Sequence, residues 1–218
     1  MEKEIGLAGA ILAGGKNIRM GGQEKGFIRV GGIPLIRRTI DLLDKIFEEI
    51  ILITNVPENF KDYSNRIIIT SDIVKDVGPL GGIHSGLCRT SKEAVFFVAC
   101  DMPFLKCEPI QREIGYFKRI QCDALVPRMG ELIEPIHAVY KKSLSENLHN
   151  FLETGSNYSI RSFLDRIDAR YFELEDNQSN REIFMNLNTH RDLKMVKKNA
   201  FENNEKINRF KGSTNSRF

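Results

Sequence analysis

EIGLAGAILAGGKNIRMGGQEKG, residues 4–26, decides how the rest of the chain is read. Its first ten residues are apolar almost without interruption. Such a run marks a strand covered on both faces, as in a parallel sheet. A loop follows directly, with five glycines between Gly14 and Gly26 and the cations Lys16, Arg19 and Lys25. A buried strand that empties into a glycine-rich, cationic loop is the arrangement by which open α/β sheets hold ligands at the carboxyl ends of their strands.

Working outward, the same kind of run returns at EIILIT (49–54), RIIIT (66–70) and AVFFVAC (94–100). DALVP (123–127), EPIHAVY (134–140) and RYFEL (170–174) are further strands. Between them lie helical patterns: PLIRRTIDLLDKIF (34–47), with Pro34 suited to a first turn, then 78–90, 108–120, 143–153 and 159–167. A final helix is read over 188–198. Strands alternate with helices almost throughout, which predicts an α/β domain with a mainly parallel sheet and right-handed crossovers. Residues 1–198 read as one domain. From about 199, Asn, Lys, Ser and Gly replace the apolar pattern, and 199–218 reads as a basic, polar, mobile tail.

Composition narrows the function classes. The chain has 218 residues, 41% apolar and 28% charged, ordinary for a globular protein. No apolar run approaches the ~20 residues that cross a bilayer, and the acidic start MEKE lacks the basic region of a signal peptide. The expectation is a cytoplasmic protein without membrane contact. The four cysteines, Cys88, Cys100, Cys107 and Cys122, form no CxxC pair and read as reduced structural thiols. Residues 197–218 hold six Lys or Arg against two Glu, so the net charge of +3 belongs to the tail while the body is slightly acidic. That speaks against nucleic-acid binding.

Four candidate features fall at strand ends: the 14–26 loop, Asn55, Asp72 and Asp101. Glycines let backbone amides approach an anion, and Lys and Arg supply charge to phosphate oxygens. The loop alone is equally compatible with an ordinary strand-to-helix turn carrying surface cations. Two phosphate motifs are excluded. Reading Gly15-Lys16 as the end of a Walker loop puts Ala10 where glycine is required and Asn17 where a hydroxyl is required. The spacing G-x-G-x-x-G is also missing after the first strand.

LAGGKNIRMGGQEKG resembles the LAGGxSxRMGxDK signature of the nucleotidyltransferases that act on the molybdenum cofactor. Four further segments resemble the same family in order: DVGPLGGIHSGL (76–87), FFVACDMPFL (96–105), EPIHAVY (134–140) and FMNLNTHRDL (184–193). Within that superfamily the likeness is to the molybdenum cofactor guanylyltransferase family. The resemblance implies a Rossmann-like three-layer sandwich that joins GTP to molybdenum-molybdopterin with Mg²⁺, releasing pyrophosphate. By resemblance, Leu12, Ala13 and Gly14 offer backbone contacts to the nucleotide, and Gly15, Arg19 and Lys25 follow the triphosphate, with Lys25 stabilising charge at the reacting phosphate. Asp101 holds the metal. Asn55, Asp72, Gly78 and Gly82 contact or admit the nucleotide, and Pro79 and Leu80 wall the base. Asn186 and Asn188 lie near the pterin.

Each of these positions also has a plain structural reading. Asp101 and Asp72 suit turns or helix caps, and Asn188 or Thr189 suits the start of the last helix. His84 and His137 read as structural, because a phosphate nucleophile is already ionised at neutral pH and needs no base. The chain departs from the signature at Asn17, at Glu24 and at His190. Expected partners are GTP and molybdenum-molybdopterin, with transient contact to cofactor-biosynthesis proteins or apo-molybdoenzymes. The alternatives are a cytidylyltransferase acting on molybdopterin or another phosphorylated substrate, and a non-catalytic cofactor-delivery partner.

Overall fold

A computed structural model describes residues 3–14, 25–155, 158–189 and 191–196. Gly15, Lys16, Asn17, Arg19 and Glu24 of the glycine loop, His190 and the tail 199–218 lie outside the described residues.

The long aliphatic runs become the strands β1 (Glu4–Leu12), β4 (Phe47–Ile53), β5 (Ile68–Thr70), β6 (Ala94–Ala99), β7 (Ala124–Met129), β9 (Ala138–Lys141) and β10 (Ala169–Glu173). Among the described residues they form one sheet in the order β10-β7-β9-β6-β1-β4-β5, with β8 (Leu132–Ile133) added on β7. β5, β4, β1 and β6 are parallel neighbours. β9 runs antiparallel to both β6 and β7, so β7 and β10 point the same way as β6. A separate two-stranded ribbon pairs β2 (Arg29–Val30) with β3 (Ile33–Pro34).

Both faces of the sheet are covered, as uninterrupted apolar strands require. Ile11, Leu52, Phe96 and Val98 face one core, filled by α1 (Leu35–Leu43), α3 (Cys107–Phe117) and Ile183 of α6 (Gln178–Ile183). Ala8, Ala10, Ile53, Val95 and Phe97 face the other, against α2 (Pro79–Arg89), α4 (Leu144–Thr154) and α5 (Ile160–Leu164). The result is a three-layer sandwich. No described helix is long and apolar enough to cross a membrane. All four cysteines carry free thiols.

Several element boundaries differ from the sequence reading. α1 stops at Leu43, and Phe47, read as the end of its stripe, opens β4 instead. The ring of Phe47 packs over β1, where a Cβ on Gly9 would lie 2.7 Å from Phe47 Cδ2. Glu134–His137 form a turn with His137 N–H donating to the Glu134 carbonyl at 3.0 Å, so only the second half of EPIHAVY is strand. α6, β8 and the β2–β3 ribbon carry no long apolar run and no pattern in the sequence announces them.

Helix α2 packs closely because it carries glycine on the face against the sheet. A Cβ on Gly86 would lie 2.6 and 2.8 Å from the Phe97 ring. Phe97 is fully buried, so the ring has little room to yield. Gly86→Ala is expected to destabilise the fold by about 1–3 kcal/mol through overpacking, read as a lowered midpoint in urea with an unchanged m-value.

Candidate functional site

Register brings the carboxyl ends of four parallel strands level. Leu12 sits beside Ile53 on one side and Ala99 on the other, and Ile53 sits beside Thr70. The ladder continues one step further. Ala13 N–H donates to the Ile53 carbonyl at 2.8 Å, Cys100 N–H to Leu12 at 3.0 Å, and Thr54 N–H to Thr70 at 2.9 Å. The residues just past each strand must therefore emerge along one edge. There lie Ala13 and Gly14 after β1, Asn55 after β4, Asp72 after β5 and Asp101 after β6.

Asp101 is 9% exposed, and its Oδ2 accepts from Lys25 Nζ at 2.7 Å. Lys25 Nζ also donates to Asn188 Oδ1 at 2.8 Å. Three segments far apart in sequence thus converge on one ammonium group. The cause is a small satellite core. Lys25 opens a 3-10 turn, Lys25–Phe27, in which Phe27 stacks on Phe60 with centroids 5.0 Å apart. Ile28, Val30 and Leu35 then pack with Leu187 and Val196. Leu187 N–H donates to the Asp101 carbonyl at 2.9 Å. Burying those aliphatic groups together places Lys25, Asp101 and Asn188 side by side.

The segment after Leu187 also has a structural task. Thr189 Oγ1 accepts from Asp192 N–H at 3.2 Å, and Asp192 Oδ2 accepts from Thr189 N–H at 2.8 Å and from Asn188 N–H at 3.0 Å. This reciprocal cap starts the helix over 191–196. Thr189 and Asp192 carry the cap, which leaves the Asn188 side chain for Lys25. Asn186 is different: its Oδ1 is buried with no hydrogen-bond partner.

At the other end of the edge, Asn55 Nδ2 donates to Asp72 Oδ2 at 2.8 Å and Asn55 Oδ1 accepts from Asp72 N–H at 3.4 Å. The pair orients the Asp72 carboxylate. Gly78 has φ +67° and ψ −152°, a backbone region that only glycine enters at low cost. It sits at the N-cap of α2 with open space where a Cβ would be. Gly82 is buried, and a Cβ there would meet Leu12 Cδ2 at 2.8 Å; its smallness seats α2 against the end of β1. Gly81, absent from the residues singled out on sequence, would place a Cβ 2.7 Å from the Val74 carbonyl oxygen. Its spacing within GPLGG was the available signal. Pro79 opens α2, and Leu80 is buried in the core.

The histidines serve the interior. His84 is buried, stacks on His149 and contacts Cys88 Sγ at 3.4 Å; burial, with His149 adding to it, holds its pKa below the ordinary value. His137 lies edge-on to Phe96 and Phe184 with Nε2 3.6 Å from Glu113 Oε2. Burial pushes His137 down to about 3 and Glu113 well up, so the two face each other uncharged.

Among the described residues no three His, Cys, Asp or Glu side chains cluster as a metal cage. Beside the backbone leaving β1 the edge instead offers the Asp101 carboxylate and the Lys25 ammonium, with the Asp72 carboxylate further along. That donor set fits a polyphosphate carrying its own cation, because Mg²⁺ is commonly bound through one or two carboxylates plus phosphate oxygens and water.

Comparison with known proteins agrees with this geometry. Residues 9–170 match the family model described as the MobA-like NTP transferase domain. The chain is 38% identical over 192 residues to a Peptoclostridium acidaminophilum protein named "Probable molybdenum cofactor guanylyltransferase", covering 84% of this chain and 85% of that one. It is 33% identical over 188 residues to the molybdenum cofactor guanylyltransferase of Syntrophotalea carbinolica, covering 84% and 87%. The crystal structure of molybdopterin-guanine dinucleotide biosynthesis protein A from Archaeoglobus fulgidus superposes with a TM-score of 0.76 at 26% identity, over 89% of this chain and 99% of that one. With the family model spanning most of the chain and the strand ends carrying its motifs, this chain belongs to the MobA-like NTP transferase family.

Proposed function

We propose that the protein transfers GMP from GTP to the molybdenum-molybdopterin cofactor, forming the guanine dinucleotide cofactor and releasing pyrophosphate. The observation that carries this reading is the meeting of Lys25, Asp101 and Asn188 at the carboxyl edge, level with the backbone that leaves β1. The names of the relatives supply the nucleotide and the acceptor.

In this reaction a terminal phosphate oxygen of molybdopterin attacks the α-phosphorus of GTP. The new P–O bond forms as the bond from the α-phosphorus to the bridging oxygen breaks, and the electron pair leaves with pyrophosphate. The attacking oxygen is already ionised, so no base is required, and the buried, uncharged His137 is not asked to act as one. The backbone amide at Gly14, one residue past the last ladder bond at Ala13, receives a phosphate, and the absence of a side chain there permits close approach. Lys25 supplies fixed positive charge where the α-phosphate and leaving group accumulate negative charge. Asp101 would hold a divalent cation such as Mg²⁺, which would supply positive charge to the triphosphate. The edge already stabilises a cation at this carboxylate, namely the Lys25 ammonium. Asp72, oriented by Asn55, is the acceptor for the guanine N1–H and 2-amino donors.

The test is a nucleotide panel. Purified protein, Mg²⁺ and molybdenum-molybdopterin are incubated with GTP, CTP, ATP or UTP, and pyrophosphate release is followed. GTP is expected to be preferred by at least about 10²-fold, because no other base offers the adjacent N1–H and 2-amino donors to the Asp72 carboxylate. Preference for CTP, or no turnover with any nucleotide, overturns the proposal.

A further inference from the structure

Besides Asp101 and Asp72, the edge of the sheet carries a third carboxylate, which the nucleotide does not use. Glu134 lies between β8 and β9, with its N–H donating to the Pro127 carbonyl at 3.0 Å. β9 starts opposite Phe97 near the end of β6, and β7 ends at the same edge. Glu134 is therefore at the carboxyl edge, on the opposite side of Asp101 from Asp72. The strand order places β9 and β7 beyond β6 one way, and β1, β4 and β5 the other.

Two observations give its face. Ile133, its neighbour in β8, packs into the core under α2, α4 and α5. Successive residues of a strand alternate faces, so Glu134 belongs to the other one. Pro127, opposite it, is paired on β10 with Phe172, which packs on the α3 side. His137 and Phe184 meet on that side, edge to face. From Phe184 the chain runs through Asn186, whose buried Oδ1 has no partner, to Leu187, bonded to the Asp101 carbonyl. The segment from Phe184 to Leu187 thus links His137, three residues after Glu134, to Asp101.

Glu134 is partly buried, and burial alone pushes its carboxyl up to about 7. Among the described residues its carboxyl has no ion-pair or hydrogen-bond partner, whereas Asp101 and Asp72 at this edge are both paired. Half-burying an unpaired carboxylate costs free energy unless a ligand donor arrives to meet it.

We propose that Glu134 is the specificity-determining acceptor for the pterin ring of the second substrate. The assignment rests on the function proposed above. Its chemistry is that of the ring: a pterin ends in a 2-amino-4-oxopyrimidine whose N3–H and 2-amino group are adjacent donors. One carboxylate accepts both, as it does from a guanidinium. Guanine presents the same donor pair. The reaction joins two molecules that end in the same hydrogen-bonding face, and the edge supplies one carboxylate for each, Asp72 and Glu134, with Asp101 between them where the phosphates meet.

The experiment uses the full chain and two fluorescent probes, 6-hydroxymethylpterin phosphate and the matched lumazine phosphate, which carries a carbonyl in place of the 2-amino group. Wild type is expected to bind the pterin at least about tenfold more tightly than the lumazine, the loss expected for one charge-assisted hydrogen bond. Glu134→Gln and Glu134→Ala are expected to lose at least about tenfold in pterin affinity together with that discrimination. Affinity for a fluorescent GTP analogue stays within about twofold in both, and the near-isosteric Gln variant keeps the wild-type melting temperature. Unchanged pterin binding in both variants overturns the assignment. So does wild type that fails to bind the pterin probe or to discriminate between the probes, or GTP affinity that falls in step. The nucleotide panel is read separately: a chain that selects pterin through Glu134 yet uses CTP sinks guanylyl transfer and leaves this assignment standing.

Discussion

Lys25→Ala is expected to lower kcat for GMP transfer by on the order of 10²–10³, with a smaller rise in the KM for GTP. Lys25 Nζ is the cation on which Asp101 and Asn188 converge, and both contacts are short. Charge fixed in advance at that point acts most strongly where the reaction concentrates negative charge, so removal weakens the transition state more than the bound substrate. Two controls separate this from a folding defect. Lys25→Arg keeps the charge but not the compact geometry and should recover only part of the rate. The melting temperature of Lys25→Ala should fall by a few degrees, because Asp101, 9% exposed, loses its ion-pair partner, while the circular dichroism at the assay temperature stays that of the folded protein. Wild-type turnover by the alanine variant would remove Lys25 from the mechanism.

The second large effect is expected at Asp101. Asp101→Asn preserves size and hydrogen bonding, and the backbone bond from Leu187 does not depend on the side chain. Only the charge is lost. Turnover should fall by at least on the order of 10², and the nucleotide-dependent binding of Mn²⁺, followed by loss of the free-ion resonance signal, should weaken in parallel. Because Lys25 and Asp101 act on one group of phosphates, the double variant Lys25→Ala with Asp101→Asn should be little worse than the poorer single variant. Additive losses would mean that the two residues serve separate steps. Tight Mn²⁺ binding by Asp101→Asn would move the metal away from this carboxylate.

Much of the architecture was legible in the chain itself. Aliphatic runs at 49–54, 66–70 and 94–100 read as strands; β4 and β6 are mostly buried on both faces, whereas β5, at the sheet edge, is only partly buried. The amphipathic stripes of 34–47 and 108–120 are likewise helices, though Phe47 belongs to β4, because a tertiary niche over Gly9 outweighed the continuing helical spacing. The residues after the strands were legible as a set, since parallel strands in a common register must release their succeeding loops at one edge.

Other features had no local signal. The antiparallel insertion of β9 between β6 and β7 depends on which edges are free to pair once the parallel strands are assembled. Residues 176–183 lack a long apolar run, and α6 exists because Asn177 caps it and Ile183 finds the core on the α3 side.

What the sequence alone determined is the set of strand-end groups and their chemistry: glycines, cations and carboxylates that succeed buried strands. Only the tertiary structure decided who meets whom. Lys25 reaches Asn188, 163 positions along the chain, because Ile28, Leu35, Leu187 and Val196 bury one another. Glu134 opens EPIHAVY, a segment that resembles the family but that the pattern alone reads as one more apolar strand, so no role for its carboxyl was legible. Its unpartnered carboxyl at the far end of the edge becomes visible only when β9 is threaded beside β6. Hydrophobic pattern is a property of neighbours in sequence, whereas the pairing of polar groups depends on which surfaces burial brings together.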